Sequence, residues 1–150
     1  MPQSLSKVYV HITFGTKYRL KLIDDTIKDA LFEYIGGICK GLECYPLQVG
    51  GYLDHIHVLC TLSRKIAQMT LLEEMKKQSS KWIKTRGQTY ADFYWQDGYA
   101  IFSVNPAETD VVVKYILNQE KHHNKTSFQD EYRALLNKYE IEFDERYVWD

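Results

Sequence analysis

No apolar run in the chain approaches 18 residues, and its opening, MPQSLSKVYV, holds neither an apolar signal core nor a cleavage site. Nothing here marks a membrane span or a secretory leader, so a soluble, cytoplasmic protein is expected. Cysteine is scarce: Cys39, Cys44 and Cys60 are odd in number, lack C-x-x-C spacing and sit in apolar surroundings. That argues against a disulfide framework and suits reduced thiols in a core. Neither charge sign dominates, since 19 basic and 20 acidic side chains leave a net charge of −1. A nucleic-acid partner would need a local basic patch. Repeats and low-complexity linkers are also missing. With 150 residues and 45% hydrophobic content, one domain over 1–150 with a single core is expected.

What is present centres on Tyr52–Leu62, YLDHIHVLCTL. Side chains alternate faces along a strand, so His55 and His57 project together while Ile56 and Val58 point the other way. Such a pair either shares one divalent metal or is two polar residues on an exposed strand.

The rest of the chain supplies context. Lys7–Phe14 puts Val8, Val10, Ile12 and Phe14 on one face and Tyr9, His11 and Thr13 on the other, the pattern of a half-buried strand. The basic loop Thr16–Lys21 follows, either a phosphate holder or a solvated turn. From Asp24 or Asp25 as cap, Ile27, Leu31, Tyr34, Ile35 and Ile38 recur at helical spacing, with Gly41 just past the end. Leu42–Val49 reads as a second strand, at an edge or bulged because of Pro46, and Gly50-Gly51 loosens the chain before a turn at Leu53-Asp54. Thr70-Leu71-Leu72-Glu73 has capping-box form and predicts a helix to about Arg86, burying Leu72, Met75, Ser79 and Trp82. Its other side carries Lys76, Lys77, Lys81 and Lys84. Ser63–Arg86 holds seven basic and two acidic residues, a local net of +5. Such a face is usually only solvated, but beside a metal site it would suit a phosphate track. Asp92–Val104 reads as one or two short strands around Asp97-Gly98.

Strand, helix, strand, strand, helix, strand is the order of a ferredoxin-like or RRM-like α+β fold, an antiparallel sheet with two helices on one face. A further helix is predicted from Pro106 to about Lys121, with Asn105 as cap, and places Val112, Tyr115, Gln119 and His122 on one side. The last helix, from Ser127, should bury Phe128, Tyr132, Leu135 and Tyr139. Ser127–Asp150 has seven acidic and three basic residues, net −4, and is expected to stay off DNA.

If the Tyr115 helix crosses the histidine face, Gln119 could lend an amide oxygen to a metal while Tyr115 points at whatever the metal holds. Tyrosine is a weak nucleophile near neutrality because its phenol titrates near about 10. A cation that offsets charge on a phosphodiester lowers that demand. The plainer alternative is a half-buried aromatic and a surface amide.

Together VYVHITFGTKYRLKLI, GGYLDHIHVL, QSSKWIK, WQDGYAIFSV and YILNQEKHH resemble the single-tyrosine, His-hydrophobic-His transposases of the insertion-sequence 200/605 group. The likeness covers almost the whole chain. It implies an enzyme that cleaves and rejoins single-stranded DNA, with a C-terminal helix carrying the catalytic Tyr115. It further implies Mg²⁺ or Mn²⁺ on His55, His57 and Gln119, and a 5′-phosphotyrosine beside a free 3′-OH. Members work as homodimers on hairpin-containing element ends, and in many the tyrosine helix of one subunit serves the other. Lys17, Arg19, Lys76, Lys77, Lys81, Lys84 and Arg86 are then candidates to hold DNA. Three other readings compete. A replication-initiator or relaxase nickase would carry helicase or primase segments, for which 150 residues leave no room. An RRM-like binder would stack bases on Tyr9, Tyr94 and Trp95, but no RNP-type run is present. A zinc deaminase would need Pro-Cys-x-x-Cys.

Overall fold

A computed structural model describes residues 2–150. Strands β1 (Tyr9–Gly15), β2 (Pro46–Tyr52), β3 (His55–Thr61) and β4 (Ala100–Val104) form one antiparallel sheet in the order β2-β3-β1-β4. Helices α1 (Lys28–Gly41) and α2 (Gln68–Lys84) pack on one face, as the ferredoxin-like reading requires. The alternation of β1 and β3 sends Val10, Ile12, Phe14, Ile56, Val58 and Cys60 into this layer. There they meet Leu31, Ile35, Leu72, Met75 and Ile83 in the main core.

The opposite face is also covered, so β1 and β3 are buried on both sides rather than half-buried. Helices α3 (Thr109–Leu117), α4 (Gln119–His123) and α5 (Phe128–Lys138) lie over it. Two glycines of the sheet make that possible. A Cβ at Gly15 would stand 2.7 Å from Phe128 Cε2, and one at Gly50 would stand 2.7 Å from Ile116 Cγ2. Gly15 pairs across the sheet with His55, and Gly50 with His57. The covering helices therefore seat directly beside the two histidines.

Local chemistry moves several expected boundaries. Asp24 Oδ1 accepts from the backbone of Thr26 and Ile27, closing a turn ahead of α1, which begins only at Lys28. β2 starts at Pro46 instead of Leu42 and lies at the sheet edge, with its register shift between Pro46 and Gln48. Gly50 and Gly51 belong to this strand. α2 opens two residues before Thr70, behind Ala67 in extended conformation and without a side-chain cap. Thr70 sits inside the first turn, so its box is not one. Trp82 stacks on Tyr34 with ring centroids 4.7 Å apart, and Ile83 takes the buried position. Asp92–Val104 yields one strand, β4, plus an isolated bridge between Trp95 and Thr16.

The predicted tyrosine helix is interrupted. Asn105 Oδ1 accepts from the Ala107 backbone N–H at 2.9 Å and Pro106 opens a short 3₁₀ turn before α3. α3 ends at Leu117, and Asn118 (φ −94°, ψ 14°) separates it from α4. In α5, Ser127 Oγ accepts from the Asp130 backbone N–H at 3.1 Å, the expected cap. Leu136 is buried there in place of Leu135, while Tyr139 lies exposed on Phe102. Among the described residues no helix is long and apolar enough to cross a membrane.

Candidate active site

β3 presents His55 and His57 on the face covered by α3–α5, and both side chains are fully buried. Phe128 of α5 stacks on the His55 ring, centroids 4.3 Å apart and planes 12° from parallel. Asp54, in the hairpin turn just before, accepts from His55 Nδ1 at 2.8 Å. A carboxylate only accepts, so this contact fixes the Nδ1–H and turns Nε2 inward. His11 performs the matching service for His57: Thr13 sits directly opposite His57, and His11, one pair along on the same face, places Nε2 2.8 Å from His57 Nδ1.

The inward nitrogens meet a residue that sequence reasoning missed. Glu131 of α5 is 3% exposed, and its Oε1 lies 2.9 Å from His57 Nε2 and 3.4 Å from His55 Nε2. Its Oε2 accepts from the Tyr115 hydroxyl and, at 3.1 Å, from Gln119 Nε2. Gln119 Oε1 faces His55 Nε2 at 2.8 Å and His123 Nε2 at 2.9 Å. Tyr115, Gln119, His55 and His57, predicted from four positions in the chain, are thus brought together within one subunit. A signal for Glu131 existed. It stands three residues after Phe128 and next to Tyr132, on the buried face of an amphipathic helix.

Electrostatics follow from this packing. Burial works against the Glu131 carboxylate, yet hydrogen bonds from His123, His55 and His57 hold its pKa well below the usual range. Burial alone would lower the pKa of His55, but hydrogen bonds to Asp54 and Glu131, with their charges, raise it to about 9. His57 is lowered, burial outweighing Glu131. His11 is lowered to about 3 by burial and by the neighbouring His57. Burial first, and then the charge and hydrogen bond of Glu131, push the Tyr115 phenol well above its ordinary value. In this arrangement the nucleophile candidate is held protonated.

The donor set fits a divalent metal. Ligand atoms about 2.1 Å from a cation stand about 3.0 Å apart along an octahedral edge and about 3.4 Å along a tetrahedral one. The separations of 2.9 and 3.4 Å from Glu131 Oε1 to the two imidazoles lie in that range. His55, His57 and Glu131 could hold the ion, with Gln119 Oε1 turned toward His55 as a further donor.

The basic candidates divide. α2 lies across the sheet from the histidine face, so its lysines do not flank this site. Lys76 leaves the set altogether: its ammonium donates to the carbonyls of Gln96, Asp97 and Gly98 at 2.6–2.9 Å and is spent holding the 96–98 turn. Lys77 pairs with Glu74, Lys84 lies 4.1 Å from the Tyr94 ring centre, Arg86 lies over Trp82, and Lys81 is exposed. The loop with Lys17 and Arg19 runs next to the hairpin turn, through Thr16 N–H to Asp54 O at 2.8 Å, and also meets Tyr94 O. Trp95 is buried and both sheet faces are covered, which removes the base-stacking platform of an RRM-like binder.

Comparison with known proteins agrees. The crystal structure of a candidate transposase from Deinococcus radiodurans R1 is similar over 79% of this chain and 98% of its own, at 18% identity and a TM-score of 0.62. A REP-associated tyrosine transposase bound to a REP hairpin is similar over 84% of this chain and 74% of its own, at 16% identity and a TM-score of 0.59. At these identities the likeness is one of fold. No curated protein sequence matches. The family described as "Transposase IS200 like" matches residues 4–119. With more than half of its length inside that match, the chain belongs to the IS200-like transposase family.

Proposed function

We propose that this transposase cleaves and rejoins single-stranded DNA at hairpin-containing element ends, with Tyr115 as the nucleophile. One observation carries the reading: the Tyr115 hydroxyl, the inward nitrogens of His55 and His57 and the Gln119 amide all meet one buried carboxylate. A divalent ion, Mg²⁺ or Mn²⁺, on His55, His57, Gln119 and Glu131 would polarise the scissile phosphodiester and offset its developing charge. Asp54 and His11 hold the two imidazoles in orientation. Tyr115 Oη attacks phosphorus as the bond to the 3′ oxygen breaks, and its proton passes to water. The departing oxygen takes up a proton from water and leaves as a free 3′-OH. The resulting 5′-phosphotyrosine keeps the diester linkage activated, so a second 3′-OH can reseal the strand without ATP.

DNA contacts are proposed for Lys17, Arg19, Lys77, Lys81, Lys84 and Arg86, and the working form is proposed to be a homodimer of single catalytic units spanning 1–150. Family membership and a fold neighbour solved on a REP hairpin support this partner. The test is incubation with labelled single-stranded element ends and Mg²⁺ or Mn²⁺. A denaturation-resistant protein–DNA band is expected from the wild type and none from Tyr115→Phe. An undiminished band from Tyr115→Phe would transfer the role to another of the 12 tyrosines.

A further inference from the structure

All five histidines of the chain gather around the Glu131 carboxylate, but the metal site above uses only three, counting His11 behind His57. The remaining two, His122 and His123, close α4 and face the second oxygen of the same carboxylate. Their Nε2 atoms lie 3.2 and 3.4 Å from Glu131 Oε2. These separations again match the edges of a coordination polyhedron around a small divalent ion.

The hydrogen bonding of the two rings points the same way. His123 Nδ1 lies 2.6 Å from the Thr126 carbonyl, which can only accept, so Nδ1 carries the proton. His123 Nε2 on the other side of the ring faces two oxygens, Gln119 Oε1 at 2.9 Å and Glu131 Oε2 at 3.4 Å. Three atoms able to ligate a cation thus converge beside one another. A ring fixed through Nδ1–H to a backbone carbonyl is also how metal-bound histidines are commonly oriented. His122 Nε2 adds an independent mark, because it is buried and has no hydrogen-bond partner. Buried polar atoms are rarely left so without a reason.

We propose that His122, His123 and Glu131 Oε2 form a second divalent-metal site, so that Glu131 bridges two ions, one on each carboxylate oxygen. The pairing rests on the reading of His55 and His57 as the first site. Two imidazoles and a carboxylate suit a borderline transition ion such as Co²⁺ or Zn²⁺ better than Mg²⁺ or Ca²⁺, and Mn²⁺ serves as the paramagnetic probe. The second ion would lie on the oxygen that also accepts from Tyr115, on the nucleophile's side of the carboxylate.

The experiment needs no DNA. The metal-free full chain is titrated with Mn²⁺ by calorimetry, bound manganese is counted after desalting, and electron paramagnetic resonance reads magnetic coupling between ions. Two Mn²⁺ per chain with a coupled spectrum are expected, falling to one uncoupled ion in His122→Ala/His123→Ala. His122→Ala alone, at a partly exposed ring, should weaken the second ion and serves if the double variant loses its circular dichroism. One Mn²⁺ per chain, unaffected by His122→Ala or the double variant and lost in His57→Ala, overturns the second site and leaves the proposed function standing. No bound Mn²⁺ at all overturns the second site and the metal part of the proposed function with it.

Discussion

Gly50→Ala tests whether the seat of α3 on the sheet sets the position of the nucleophile. A Cβ at residue 50 would stand 2.7 Å from Ile116 Cγ2 and 3.2 Å from Ile116 O. Carbon atoms in ordinary contact lie about 3.5–4.0 Å apart, so roughly 1 Å must be recovered. Ile116 cannot easily turn away, because it is 2% exposed and packed with Leu59 and Val104. The relief therefore falls on α3, in which Tyr115 immediately precedes Ile116. A displacement of about 1 Å from reacting geometry costs on the order of 100-fold in rate, equivalent to about 2.7 kcal/mol of barrier. Overpacking of this kind also destabilises by about 1–3 kcal/mol, a loss of several degrees in melting temperature. Single-turnover formation of the covalent adduct and thermal denaturation should be measured on the same preparations. Gly37→Ala is the control: its Cβ meets nothing within 4 Å in the middle of α1, so it should gain about 0.5–1 kcal/mol and leave the rate alone. A Gly50→Ala chain that melts lower but forms adduct at the wild-type rate would refute the link between the helix seat and the nucleophile. A chain unchanged in both would refute the close approach itself.

Other expectations follow from single contacts. Asp54→Ala frees the His55 ring, and Mn²⁺ affinity by calorimetry should fall about 10–100-fold with DNA binding unchanged; intact metal affinity would remove the orienting role. Burial holds the Lys76 pKa down to about 8, so between there and its ordinary value the unfolded chain binds more protons than the folded one. This group therefore makes stability rise with pH across that window, and urea denaturation at about pH 7 and about pH 10 should lose that rise in Lys76→Met; a rise of equal size in the variant would assign it elsewhere. Lys77→Ala/Lys81→Ala should weaken DNA binding and flatten its salt dependence by up to about two contacts of slope 0.7 each, and an unchanged slope would place the strand on another surface.

The parts of the site legible in the sequence are those whose spacing has only one geometric meaning. Two histidines either side of Ile56 must share a face of a strand, and residues 115 and 119 must lie one turn apart. The order of strands and helices around them was readable from periodicity for the same reason. What escaped depended on contacts between elements. Glu131 lies in a segment of net −4, where a carboxylate reads as solvated, and only the docking of α5 turns it inward. The lysines of α2 form a real stripe, but nothing in their spacing says which side of the sheet the helix takes, or that Lys76 ends on three carbonyls. His11 looked like one polar residue on an alternating strand until its pairing put it one position from His57.

The interruption at Asn118 has a mechanical consequence. Had Tyr115 and Gln119 shared one unbroken helix, any rotation that moved the phenol would have carried the amide with it. Because α3 ends at Leu117 and α4 begins at Gln119, the nine residues of α3 and the five of α4 are separate helical segments joined at Asn118. The proposed attacking group and the proposed amide donor therefore stand on two segments, although they are four positions apart. Asn118→Ala, by favouring a continuous helix, would place both on one segment.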